Sequence, residues 1–129
     1  MFIMKMTAQE FRNMKAKKPN KYKNVESVSD GITFDSVKEK KRYYELLTMQ
    51  NNGLISELNR QIKYELIPVQ KDNGKVIERA VCYYADFTYQ TPDGLVVEDV
   101  KSEATRKLST YIIKRKLMLF VQGIKINEI

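Results

Sequence analysis

The sequence predicts an α/β domain of the α+β kind, with one mixed sheet flanked by helices in the order helix, three strands, helix, strand. Three observations predict it. A stripe of apolar residues at helical spacing lies between a capping box and an Asn-Asn-Gly stop. Three strand-like segments follow it, separated by short turn signals. A second helix-spaced segment then leads into an isoleucine-rich end. A chain of 129 residues makes one ordinary domain, long enough to bury a core.

Each element has its own signal. Residues 1–30 are expected to form a basic appendage, with residues 31–129 as the domain proper. Within the appendage, Thr7 and Glu10 fit a capping box, so a short helix is expected over about 8–17. Pro19 disfavours helix in the residue before it. Ile32-Thr33-Phe34 reads as a short extended piece. Ser36 and Glu39 form a second capping box, and Tyr43, Tyr44, Leu46 and Leu47 supply the stripe of a helix over about 36–51. In 61–70, Ile62, Tyr64 and Leu66 alternate with Lys63 and Glu65, the pattern of a half-buried strand. Asp72-Asn73-Gly74 is a tight turn. Residues 76–90 are rich in Val, Ile, Tyr and Phe. Thr91-Pro92-Asp93-Gly94 is another turn, and Leu95 to Lys101 a third strand. Leu108, Tyr111, Ile112, Leu119 and Phe120 mark a helix over 104–122 that stops at Gly123. Ile124, Ile126 and Ile129 are expected in a last strand that returns to the same sheet. The three consecutive strands should form an antiparallel meander.

Composition removes whole classes of function. There is no His, which excludes Ser-His-Asp and Cys-His hydrolases, His-metal nucleases and zinc proteases. The single Cys cannot make an internal disulfide or a Cys-based zinc site. No apolar run reaches the length of a membrane span, so no membrane partner is expected. The first residues do not resemble a signal peptide, and the lone thiol fits a reducing cytoplasm. Lys and Arg number 23 against 16 Asp and Glu, a formal charge of +7. That excess is concentrated in two places. Residues 5–23 hold Lys15, Lys17, Lys18 and four further basic residues against Glu10. The late segment holds Arg106, Lys107, Lys114, Arg115 and Lys116. Two basic stretches of this kind suit a polyanion, with Lys15, Lys17, Lys18, Arg106, Lys107 and Lys114 as candidate nucleic-acid contacts. A solvated basic surface accounts for the same charges without a ligand.

Strand periodicity gathers one chemical constellation. Asp99 and Lys101 are two residues apart and share a face of the third strand, while Glu98 faces the other way, as a salt-bridge partner. Asp86 lies on the second strand, and a turn near 92–93 sets it opposite Asp99. Two carboxylates held close call for a neutralising cation. Their hard oxygen donors suit Mg²⁺ or Mn²⁺. A Lys beside them can orient water and stabilise charge on a phosphate. Asp86 interrupts a strongly strand-forming run, Tyr83 to Tyr89, where Asp is disfavoured.

Tyr84-Ala85-Asp86-Phe87, twelve residues of spacing, and Val96-Val97-Glu98-Asp99-Val100-Lys101 resemble the two-part motif of the PD-(D/E)XK nuclease superfamily, with Ala in place of the frequent Pro. The element order is similar to that family's restriction-endonuclease-like core. Phe34 to Glu39, Leu58 to Gln61 and Ile113 to Leu117 are similar to small nuclease-like proteins of phages and prophages, and the layout to transposon-end endonucleases. The likeness covers roughly residues 32–122. It implies a third acidic residue from the first helix, Glu39, although the capping box alone accounts for that residue. It also brings Gln61 into view, although a polar strand-edge residue is the simpler account of that position. The resemblance implies a Mg²⁺-dependent DNA endonuclease acting in a bacterial host cytoplasm, with branched DNA such as a Holliday junction as substrate and a homodimer as the working form. The alternatives are a DNA-binding protein of the same fold without catalysis, and a phage protein that binds a host factor.

Overall fold

A computed structural model describes residues 31–129 and the backbone of 27–29. The helix expected over 8–17, and with it Lys15, Lys17 and Lys18, lies outside the described residues. The chain divides into two compact units, Met1–Tyr44 and Glu45–Ile129. The division falls inside the first helix.

In the first unit, β1 (Ser27–Ser29) pairs antiparallel with β2 (Ile32–Phe34). Helix α1 (Val37–Asn51) begins there and continues into the second unit. Its capping box forms: the Glu39 N–H donates to Ser36 Oγ at 3.1 Å, and Glu39 Oε2 accepts from the Asp35 N–H at 3.3 Å. Two orphan donors at the helix start are thereby satisfied. Phe34 is fully buried and stacks at a tilt on Tyr43, with ring centres 5.4 Å apart.

The second unit is built on a four-stranded mixed sheet in the order β3-β6-β7-β8. β3 (Ser56–Ile67), β6 (Val81–Thr91) and β7 (Gly94–Asp99) are antiparallel neighbours, and β8 (Asn127–Glu128) joins β7 in parallel. Fold class and strand order therefore match the sequence expectation, including the last strand's return, but the strand expected over 76–90 is divided between β5 (Lys75–Glu78) and β6. Between β3 and β6 stands a separate hairpin of β4 (Gln70–Asp72) and β5 (Lys75–Glu78). Its turn puts Asn73 at φ 50° and Gly74 at φ 78°. Positive φ at both central positions is the demand that selects Asn-Gly in two-residue hairpins. The β6–β7 turn is closed by Thr91, whose Oγ1 accepts from the Asp93 N–H and donates to the Gly94 carbonyl.

The second helical segment differs from the expected single helix. It is split into α2 (Glu103–Arg106), α3 (Ser109–Leu117) and a π-helical turn, Met118–Gln122. Ser102 and Thr105 cause the first break. Ser102 Oγ caps the Thr105 N–H, and Thr105 Oγ1 donates back to the Ser102 carbonyl, closing a turn of their own. Leu108 is then extended, at φ −67° and ψ 128°, which carries it toward the core before α3 starts.

The core lies between the sheet and α3. Leu66, Tyr83, Ala85, Val97, Tyr111, Met118 and Ile126 pack together there. Phe87 and Met118 are fully buried, worth roughly 2–3 kcal/mol each. Val97, Glu98 and Asp99 are three consecutive buried residues, so the end of β7 is covered on both faces. Among the described residues, no helix is long and apolar enough to cross a membrane.

Candidate functional site

The site forms where the β6–β7 ladder ends. The paired register runs from Thr91↔Gly94 to Phe87↔Glu98. One further step sets Asp86 against Asp99. There the ladder is replaced by a side chain: the Val100 N–H donates to Asp86 Oδ2 at 2.8 Å. The other Asp86 oxygen accepts from Gln61 Nε2 at 3.1 Å. Gln61 faces Asp86 because β3 pairs with β6 through Arg60↔Phe87 and Ile62↔Ala85.

Gln61 carries backbone strain. Its φ is 51°, a left-handed conformation in the middle of a strand and without glycine's freedom. That costs about 1–2 kcal/mol. Strain held at a residue that orients a candidate ligand is a marker of a functional position. The sequence offered no sign of the conformation, only of the residue.

Asp99 is 1% exposed and sits in a closed network. Lys101 Nζ lies 3.0 Å from Asp99 Oδ1. The Tyr83 hydroxyl donates to Asp99 Oδ2 at 2.5 Å. Lys101 also sits over the Tyr111 ring, 4.6 Å from its centre. Tyr111 in turn donates to Glu128 Oε2 at 2.6 Å. The backbone closes the group, since the Ile129 N–H donates to the Asp99 carbonyl and the Lys101 N–H to the Ile129 carbonyl. Strand β8 thus fixes both main chain and side chains around residues 99–101.

The hydroxyls in this network stay protonated. Burial, then the Asp99 charge and hydrogen bond, drives the Tyr83 hydroxyl far above the usual tyrosine range. Burial, then the hydrogen bond to Glu128, does the same for Tyr111. Sequence reasoning missed Tyr83, Tyr111 and Glu128. Tyr111 and Tyr83 read only as apolar core positions, and nothing local links either to a carboxylate 16 or 17 residues away.

Glu98, expected as a salt-bridge partner, is fully buried where β7 is covered on both faces, and it accepts a hydrogen bond from the Tyr89 hydroxyl. Glu39 is buried, at 2% exposed, in the first unit and performs its capping role. Arg106 and Lys107 are exposed at the end of α2, and Lys114 is half-buried on α3.

The donor set at β6 and β7 fits a hard divalent cation. Asp86 and Asp99 offer carboxylate oxygens, and each oxygen can accept more than the one donor named for it. Mg²⁺ is commonly held by one or two carboxylates, with water and substrate oxygens completing its shell. Among the described residues, no group of three or more His, Cys, Asp or Glu side chains is placed to hold a metal. A cation here would take the rest of its shell from backbone carbonyls, water or substrate oxygens.

No curated protein matches the chain. A family match covers residues 19–125, the whole of the sheet through β7 and the helical segment beyond it. By that match the chain belongs to DUF1064, a family described as proteins of unknown function.

Proposed function

We propose that this chain is a Mg²⁺- or Mn²⁺-dependent DNA endonuclease of the PD-(D/E)XK type. One observation carries the reading: Asp86, Asp99 and Lys101 converge at the end of the β6–β7 ladder, held there by Gln61, Tyr83 and the Val100 N–H. Asp86 and Asp99 would hold the cation. When bound, such a cation lowers the pKa of coordinated water and polarises a phosphoryl oxygen.

The chain's own residues supply the rest. Lys101, anchored between Asp99 and the Tyr111 ring, presents an ammonium that orients an attacking water and stabilises charge developing on the phosphate. Tyr83 keeps Asp99 in one rotamer, because its hydroxyl stays protonated and donates to the carboxylate. Gln61 and the Val100 N–H do the same for Asp86, so the two carboxylates need no rearrangement on binding. Basic residues, among them Arg106, Lys107 and Lys114, would hold the DNA backbone. A homodimer would supply two such sites for the two strands of a branched junction, and phage or prophage origin and a cytoplasmic setting belong to the same proposal.

One observation favours a second reading, a DNA-binding protein without catalysis. Asp99 is almost wholly buried and already has a partner on each oxygen. The test combines cleavage with metal binding. Branched and linear DNA are incubated with the protein in Mg²⁺ or Mn²⁺, beside Asp99→Asn and Lys101→Ala. Cleavage by the wild type, reduced roughly 10²–10³-fold or more in each variant, is the expected result. Calorimetry should show one divalent ion bound by the wild type and none by Asp99→Asn. Salt-sensitive DNA binding with neither cleavage nor metal uptake establishes the second reading instead.

A further inference from the structure

The π-helical turn after α3 exposes three consecutive apolar residues. Leu119 is 58% exposed, Phe120 88% and Val121 47%. Single exposed apolar residues are ordinary, but a contiguous run on an ordered helix marks an interaction surface. The turn itself is a second sign. Its widened geometry closes on Gly123 at φ 67°, and π turns within helices are frequent at functional sites.

Beside this run lies a cleft of about 390 Å³ lined by Arg115, Lys116, Leu119, Lys125, Ile126 and Glu128. Three cations and one carboxylate surround an apolar floor. That carboxylate is already tied to the Tyr111 hydroxyl. Leu119 lines the cleft, and Phe120 is the next residue along the turn. A second copy of the chain would be met by like charge if this face paired with itself. A polyanion with flat apolar faces meets both features at once.

From this we infer that the α3 face is a binding site for unpaired nucleotides, with Phe120 stacking on a base and Arg115, Lys116 and Lys125 holding the flanking phosphates. Base stacking on an aromatic ring is tolerant of sequence, and needs a base that is out of the duplex. The inference rests on the nuclease reading for its polarity: Glu128 and Tyr111 connect this cleft to Lys101, so a strand held here is led toward Asp86 and Asp99. It names single-stranded arms, as at a fork or branch, as the substrate feature that the protein recognises.

The test is fluorescence anisotropy of the full chain on a labelled fork with unpaired arms and on a blunt duplex of equal length, in EDTA so that no cleavage intrudes. The fork should bind more tightly. Phe120→Ala should weaken fork binding about 10-fold and duplex binding less than about 2-fold, and Phe120→Trp should restore the fork. Lys116→Ala with Lys125→Ala should reduce the salt dependence of fork binding by about 1 to 2 in slope. Equal binding of both DNAs, or fork binding unchanged in Phe120→Ala, overturns the inference. So does a wild-type dimer that Phe120→Ala converts to monomer without changing the DNA preference. Fork preference with no cleavage in Mg²⁺ or Mn²⁺ overturns the nuclease reading and leaves this one standing. Cleavage with an indifferent Phe120→Ala does the reverse.

Discussion

Tyr83→Phe isolates the hydrogen bond that holds Asp99. The substitution removes one hydroxyl and leaves the ring's volume unchanged, so no cavity contributes. The lost bond joins a buried hydroxyl to a buried carboxylate at 2.5 Å. A hydrogen bond to a charged group is worth about 1.5–3 kcal/mol, so the variant should be about 2 kcal/mol less stable at pH 8. The pH dependence sharpens the test. In the folded chain the Tyr83 hydroxyl titrates far above its usual value, whereas in the unfolded chain it titrates near 10. A raised folded pKa gives stability that is complete below pH 10 and declines above it. At pH 11, ionisation of the unfolded tyrosine removes about 1.4 kcal/mol from the wild type alone. All other groups cancel in the difference, so the gap between the two proteins should narrow to about 0.6 kcal/mol. Urea unfolding followed by far-ultraviolet circular dichroism at pH 8 and pH 11 measures both gaps. A gap under about 0.5 kcal/mol at pH 8, or one that stays constant or widens at pH 11, would show that this hydroxyl does not hold the Asp99 carboxylate.

The strain at Gln61 predicts an inverted ranking. Gln61→Gly and Gln61→Ala both lose the bond to Asp86, but only Gly relieves the positive φ, so Gly should be about 0.5–1 kcal/mol the more stable despite its poor fit to strands, as read by urea melts. At the first helix, Ser36→Ala should cost about 1 kcal/mol through loss of the cap. Glu39→Gln keeps a carbonyl oxygen for the Asp35 N–H but gives up the negative charge at the helix start, so it should cost about 0.5–1 kcal/mol. Cleavage assays on Glu39→Gln then separate the roles, because a cap alone leaves the rate unchanged and a metal ligand does not.

What was legible in the sequence was what is local or periodic. The register that sets Asp86 against Asp99 follows from a two-residue period and the short turn at Pro92-Asp93, both contained within 14 residues. Helix α1 was legible from its caps for the same reason. The break between α2 and α3 was not, because apolar spacing persists across it while the Ser102–Thr105 hydroxyls compete with the helix for the backbone. Tyr83, Tyr111 and Glu128 look like core aromatics and a terminal carboxylate until the fold makes them neighbours. Gln61 was visible as a residue but not as a conformation, since positive φ at a non-glycine is imposed by surrounding structure.

The missing imidazole shapes how this site responds to pH. A site that relied on His to orient its carboxylates would change charge near neutrality. Here that work falls to the Tyr83 hydroxyl, an amide side chain and a peptide N–H, while the Tyr111 hydroxyl holds the neighbouring Glu128. The amide and peptide donors do not titrate, and both hydroxyls are pushed upward by burial and by the carboxylates they serve. The orientation of Asp86 and Asp99 is therefore the same at pH 6 as at pH 8. Stability should follow suit, constant to within about 0.5 kcal/mol between pH 6 and 8, and falling only once the pH passes about 10, where unfolded tyrosines ionise and these two do not. Urea unfolding at unit pH intervals measures it. A fall of more than about 1 kcal/mol between pH 6 and 8 would require a titrating group inside the network, contrary to the donors named here.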